Sequence, residues 1–381
     1  MKVLFIPSDN SPTSGAFLSM VTLIKLLRDH FGVVPYVVLP REGDGKLLLE
    51  ENGIPYEIVK SYDWVVQQED HGTLKCKLKS FVKKIFNIGA VNKIAKIAKR
   101  EAAELIHINT TYAYIGAKVA HKTGIPHIWH LREFVEEDQG RTLWNRENGN
   151  KLIAQADRVI AISSSVYQKY ESIVDKEKLT VILNGIDCDK FYRPEHDIFS
   201  NDKFTLVYGG GYATRKGIFE FASALELLVE MGVNNFEVWF IGDPNKKYMD
   251  FLKKAGLSPY VKYLGYQKDV AQWYEKADMA FSCSKAEAFG RKTVEAMLCG
   301  TLMIAADTGG TLDIIEDKET GLMYRQGNPI DLAFKILYAM NNKEECAKIA
   351  ATGRDFAYSN LSALKNATEV YGEYKKVLKI N

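Results

Sequence analysis

One stretch constrains this chain more than any other: Ser282 to Ala305, SCSKAEAFGRKTVEAMLCGTLMIA. The run Asp278-Met-Ala-Phe-Ser282 leading into it predicts a strand. A polar loop follows, and Arg291 to Cys299 then predicts a helix of about two to three turns, stopped by Gly300 in the usual post-helix position. Leu302 to Ala306 is apolar and predicts the next strand. Strand, loop, helix and strand in that order make a parallel crossover unit. That places the chain in the α/β class and puts its ligand site beyond the carboxyl ends of the strands.

The loop carries Glu287, Phe289 and Gly290, and Glu295 follows about one turn inside the helix, with seven residues between the two carboxylates. Backbone N–H groups near Gly290 and Arg291 open the helix as an anion site, and Arg291 and Lys292 add positive charge. Carboxylate, anion cradle and carboxylate suit a ligand with hydroxyls at both ends and phosphate between them, which is the layout of a nucleotide sugar. A Glu-x7-Glu spacing alone also fits an ordinary amphipathic helix with solvated glutamates.

At 381 residues the chain predicts two domains. The formal net charge is only +2, so whole-molecule attraction to nucleic acid is not indicated. The five cysteines are scattered without a C-x-x-C pair, which suggests neither a zinc site nor a disulfide framework and fits a reducing cytoplasm. Lys2-Val-Leu-Phe-Ile6 is too short for a signal-peptide core before Pro7, Ser8 and Asp9 interrupt it.

Val3 to Ile6 predicts a parallel strand, and the loop SDNSPTSG leads through Gly15 into a helix with Phe17, Met20, Val21, Ile24 and Leu27 at helical spacing. Lys75 to Arg100 holds nine basic residues and no acidic one. Phe81, Val82, Ile85 and Phe86 are interleaved there, with Val91, Ile94, Ala95 and Ala98 on one face. Such a helix reads either as an anionic-membrane element or as a domain helix with a solvated lysine face. His130, Arg132 and Glu133 cluster at the carboxyl end of a strand over His127 to Leu131. Residues 188–203 are polar and contain Pro194, predicting a linker between a first domain over 1–187 and a second over 204–360. Asp187-Cys-Asp189 sits at that domain exit, not at a strand end, so no metal site is expected there.

The second domain opens on Phe204 to Tyr208 and Gly209-Gly-Gly-Tyr-Ala-Thr-Arg215-Lys216-Gly217. Thr214 stands where a dinucleotide fingerprint needs its third glycine. Gly217 stands where a P-loop needs Ser or Thr. The final helix, Ser362 to Leu378, carries an apolar stripe of Leu364, Ala367, Val370, Tyr371, Tyr374 and Leu378.

Ser284-Lys-Ala-Glu287-Ala-Phe-Gly290, the Glu-x7-Glu spacing and Glu295-Ala-Met-Leu-Cys-Gly300 resemble the signature of the retaining family 4 glycosyltransferases. The glycine loop ending in Lys216-Gly217, Asn184-Gly-Ile-Asp187 and Asp307-Thr-Gly-Gly310 through Tyr324 resemble the same family. The resemblance implies the GT-B fold: two Rossmann-like domains facing each other across a cleft, with the last segment, 361–381, crossing back to the first domain. It implies transfer of a sugar from a UDP-linked donor, with Glu287 on sugar hydroxyls, Glu295 on the ribose, Lys216 on the diphosphate, Tyr266 at the nucleobase and His130 beside the sugar or acceptor. Gly15 would let backbone approach the diphosphate, and Phe289, Gly290 and Arg291 would complete the donor site. The family normally carries an arginine where this chain has Gly211; Arg215 is the candidate replacement. No cofactor or metal is implied. The acceptor would be a glycan or lipid-linked glycan, met in the cytoplasm or on the inner membrane face through Lys75 to Arg100. A nucleotide-sugar epimerase, a sugar-phosphate synthase and a non-catalytic subunit of a glycan-assembly complex are the rival readings.

Overall fold

The computed structural model describes residues 1–380; the last residue of the expected returning segment, 381, lies outside them. The chain forms two compact units, one of Met1–Gly185 with the C-terminal segment from Ala363, the other of Ile186–Ser362.

The strands of the first unit are β1 (Lys2–Pro7), β2 (Val34–Leu39), β3 (Tyr56–Ile58), β4 (Val65–Gln67), β5 (Leu105–Asn109), β6 (His127–Leu131), β7 (Arg141–Leu143), β8 (Arg158–Ala161) and β9 (Leu179–Val181). Seven of them make a parallel sheet in the order β3-β2-β1-β5-β6-β8-β9, while β4 and β7 pair antiparallel by themselves. The central strands β5 and β6 are buried at every residue, as strands covered on both faces must be. The order reverses between β1 and β5, the point at which such sheets bind ligands.

The second unit holds β10 (Phe204–Tyr208), β11 (Phe236–Ile241), β12 (Val261–Gly265), β13 (Met279–Ser282), β14 (Leu302–Ala306) and β15 (Leu322–Tyr324), all parallel, in the order β12-β11-β10-β13-β14-β15. This is the doubly wound Rossmann order, with its reversal between β10 and β13. A single apolar core built on Leu206, Phe221, Phe240, Phe281 and Ile304 fills it.

One local expectation changes and two are refined. Residues 188–203 are not an open linker: Cys188–Phe191 is helical, and Phe191, Ile198 and Phe199 are buried. The Arg193 N–H donates to the Leu298 carbonyl, and the Phe199 N–H to Asp278. Three apolar anchors in a polar run hold it to the second unit. The basic stretch is one helix, Leu74–Arg100, of which Ile94, Ala95 and Ala98 are buried while Phe81, Val82, Ile85 and Phe86 are exposed. The last helix, Ala363–Leu378, packs on the first unit through Ala367, Val370 and Tyr374, with Tyr371 stacked on Phe31 at 4.5 Å, but Leu364 is exposed.

Candidate active site

In the second unit, the loops that leave β10 and β13 meet where the strand order reverses. Gly217 has φ +74°, and a Cβ there would stand 1.8 Å from the Cys283 carbonyl oxygen, so only glycine lets the loops touch. The Lys285 N–H donates to the Arg215 carbonyl at 3.0 Å. This contact sets the Lys216 Nζ 3.0 Å from Glu287 Oε2, and the Ser284 hydroxyl donates to the same oxygen at 3.0 Å. The Glu287 backbone is clamped from its other side: its carbonyl accepts from the Gly310 N–H at 2.7 Å, and a Cβ on Gly309, φ +56°, would lie 2.1 Å from that oxygen.

The helix Arg291–Leu298 starts at Gly290, φ +99°, with no side-chain cap, so its first turn is left open to an acceptor from outside. Glu295, one turn in, is 8% exposed and lies 3.4 Å from Arg291 Nη2. Burial raises its pKa, and Arg291, Lys292 and Lys190 oppose the rise. Lys292 turns its ammonium inward to donate to the Gly209 carbonyl, and desolvation holds its pKa below the ordinary lysine value. Cations thus surround two carboxylates at a helix N-terminus, an arrangement able to bind an anion flanked by hydroxyls.

Tyr266 is 65% exposed, just beyond β12, where the Gly242 N–H donates to the Gly265 carbonyl at 2.8 Å. Phe289 is buried, so its ring anchors the loop and offers no face to a ligand, unlike the donor contact expected of it. Arg215 is exposed on the turn Thr214–Lys216, and Gly211 has φ +80° with nothing within 4 Å of a Cβ there. Asp187 and Asp189 are exposed, and no group of three potential metal ligands occurs among the described residues.

In the first unit, Gly15 opens the helix Gly15–Phe31 behind Ser14, whose hydroxyl accepts from the Phe17 N–H and donates to Asp9. His130 is fully buried near the end of β6, with Nδ1 3.3 Å from an Arg132 nitrogen and its ring 5.3 Å from that of His107. Its Nε2 has no partner, and burial, then Arg132 and His107, holds its pKa well below the usual histidine value. Arg132 is held by Asn109 and Asn184, and Glu133 accepts from the Thr111 and Arg132 N–H groups. Lys216, Glu287, Gly290, Arg291 and Glu295 are therefore together in one unit, and Gly15 and His130 belong to the other.

Residues 189–356 match the model for glycosyl transferases group 1, and residues 23–190 match the model for glycosyltransferase family 4. The chain belongs to glycosyltransferase family 4. An uncharacterized glycosyltransferase of Methanocaldococcus jannaschii is 27% identical over 290 residues, covering 74% of this chain and 79% of the relative. The N-acetyl-alpha-D-glucosaminyl L-malate synthase of Bacillus anthracis is 20% identical over 86% of this chain and 88% of its own. Among solved structures, Anabaena HepE in complex with UDP and glucose superposes with a TM-score of 0.80 at 23% identity, covering 99% of this chain and all of that one. Family and fold agree with the GT-B class.

Three contacts of residues that the sequence reading had named were not foreseen: Ser284 on Glu287, Lys292 on the glycine loop, and the Gly309 clamp. The paired glycines at 309–310 were the signal, since a close backbone approach needs them.

Glu133 supplies a pH test. Burial pushes its pKa up to about 7 from 4.5. The folded state holds a proton there that the unfolded state has released, so this contribution is fully present below the unfolded pKa and lost as pH rises to about 7. His107, pushed down to about 3 by burial, has the opposite sign: its contribution is present above the unfolded value and lost as pH falls. Relative to the parent, Glu133→Gln is expected to gain roughly 2 kcal/mol between pH 5 and pH 8, whatever its fixed offset. Chemical denaturation at both pH values checks it; parallel profiles would refute it.

Proposed function

We propose that this chain transfers a sugar from a UDP-linked donor to an acceptor hydroxyl, with retention at the anomeric carbon and without a divalent metal. The observation that carries the reading is the Lys216–Glu287 pair at the β10/β13 reversal, beside the uncapped helix that holds Glu295. In this reading the bond from the anomeric carbon to the diphosphate oxygen breaks, and the acceptor oxygen bonds on the same face. The acceptor proton passes to the departing oxygen. Lys216 and the helix N-terminus meet the charge that builds on the diphosphate, where a family with metal sites would use an ion. Glu287 holds sugar hydroxyls, Glu295 the ribose, and Tyr266 the base. Gly15 and His130 are assigned to the diphosphate and to the sugar or acceptor, and Arg215 remains the candidate for the guanidinium absent at Gly211. The complex of Anabaena HepE with UDP and glucose supports a nucleotide-linked donor.

A thermal-shift screen of UDP-, GDP- and ADP-linked sugars tests it, because a ligand bound only by the folded state raises Tm. UDP-sugars are expected to stabilise, with activity unchanged by chelator and product configuration matching the donor's. No shift with any nucleotide sugar would sink the reading, and turnover of donor without acceptor would favour an epimerase.

A specific observation favours a membrane-associated acceptor. Leu74, Leu78, Phe81, Ile85 and Ile88 recur at helical spacing and are all exposed, while the buried side of the same helical half carries Cys76, Ser80 and Asn87. The polarity is reversed, apolar to solvent, with Lys75, Lys77, Lys79 and Lys84 alongside. No helix among the described residues is long and apolar enough to cross a membrane. Such a face lies in an anionic interface, each engaged lysine adding roughly 1 kcal/mol. Phe81→Ser/Ile85→Ser is expected to lower co-sedimentation with phosphatidylglycerol vesicles at least about tenfold, or ~1.4 kcal/mol; equal sedimentation would rule the surface out.

A further inference from the structure

The helix Leu74–Arg100 leaves a groove of about 690 Å³ against the helices Ile115–Thr123 and Arg146–Ala154. That is within the roughly 300–1,000 Å³ of small-molecule sites. It lies on the other side of the first sheet from His130: side chains alternate along β6, and Trp129 stacks at 5.9 Å on Trp64, which lines the groove.

The floor is apolar. Trp64 stacks on Tyr114 at 4.6 Å, and Val91 and Leu152 extend the surface. The rim is cationic, with Lys84, Lys118, Lys122 and Lys151, and no carboxylate lines the groove. Lys84 sits 5.4 Å over the Trp144 ring, and Lys151 is paired with Glu147 at 2.6 Å. Lys118 and Lys122 are exposed and form no ion pair with any described residue. The groove reaches Ile88, where the exposed stripe through Ile85 and Phe81 begins.

A soluble anion has no use for that floor, and an uncharged apolar ligand has no use for that rim. An amphiphile with an anionic head uses both, and the stripe brings the membrane that holds it to the groove's mouth. We infer that this groove binds an anionic membrane lipid, its phosphate at Lys118 and Lys122 and the first part of its chain on Val91, Leu152 and Ile88. The inference goes beyond surface association, since it assigns a headgroup site, and it shares no residue with the loops proposed to bind the donor.

Calorimetry on the full chain with dihexanoyl phosphatidic acid, kept below its micelle concentration, separates the possibilities. One binding event is expected, with inorganic phosphate and dihexanoyl phosphatidylcholine at least tenfold weaker. Lys118→Gln/Lys122→Gln should weaken the lipid at least tenfold, and Val91→Glu, which puts a carboxylate on the floor, should do the same. Phe81→Ser/Ile85→Ser should keep the affinity for monomeric lipid while losing vesicles, so the groove and the stripe fail separately. Equal affinity for inorganic phosphate, no change in either groove variant, or tighter binding of a uronate oligosaccharide than of the lipid would each overturn the inference.

Discussion

Lys216→Ala is expected to lower kcat by about a hundredfold to a thousandfold, or ~3 to 4 kcal/mol of transition-state stabilisation, with a nearly unchanged Tm. The asymmetry follows from where the ammonium sits. It pairs with Glu287 at 3.0 Å, and the two side chains are 18% and 22% exposed. A pair that water still reaches contributes up to about 1 kcal/mol to folding. Once Lys216 is gone, Glu287 keeps the Ser284 hydroxyl. Charge building on a diphosphate has no such substitute. Glu287→Gln should also slow turnover, and the double variant should cost less than the sum of the two, because the residues act in contact. Added magnesium should restore neither. Near-normal kcat in Lys216→Ala, or a parent enzyme abolished by chelator, would defeat the assignment.

Gly217→Ala is expected to destabilise the second unit by roughly 3 kcal/mol or more, since left-handed strain and a forced backbone contact add. Its φ is +74°, and the added methyl would collide with the Cys283 carbonyl. Gly211→Ala is the control: φ is +80°, yet nothing lies within 4 Å, so only the strain of about 1 kcal/mol is felt. Urea unfolding of both variants measures the contrast. Equal losses would show that the loops separate on their own and that their contact does not set Lys216.

The central stretch was legible because its signals are local. The strand over Met279–Ser282, the helix over Arg291–Leu298 and the strand over Leu302–Ala306 lie within a residue of expectation. Apolar periodicity, a glycine stop and a loop of polar residues suffice for such a unit. What was not legible depends on partners distant in sequence. The basic helix carries two conflicting apolar patterns, and periodicity alone cannot say which one finds a neighbour; Ile94 and Ala98 do, while Phe81 and Ile85 do not. Phe191, Ile198 and Phe199 hid in a polar run, where composition outweighed three anchors. Phe289 sits between Glu287 and Glu295, but its ring is core. The reach of Lys292 to Gly209, 83 residues away, leaves no mark at either position.

The first unit is interrupted in sequence: it begins at Met1, breaks after Gly185 and is completed from Ala363. Tyr374 bonds His107 across 267 residues, and Ala367 and Val370 lie in the core with Leu27 and Ile24. A ribosome adding about 5–20 residues per second needs on the order of ten to thirty seconds to make what lies between. For that interval the nascent half has an apolar surface waiting for a helix that does not yet exist, whereas the Ile186–Ser362 unit is continuous and can close as soon as it emerges. Vectorial synthesis therefore reverses the order of the parts: the unit translated second is the first that can finish folding. A premature stop between Ser362 and Ala367 would release a chain whose second unit is finished and whose first lacks its closing helix.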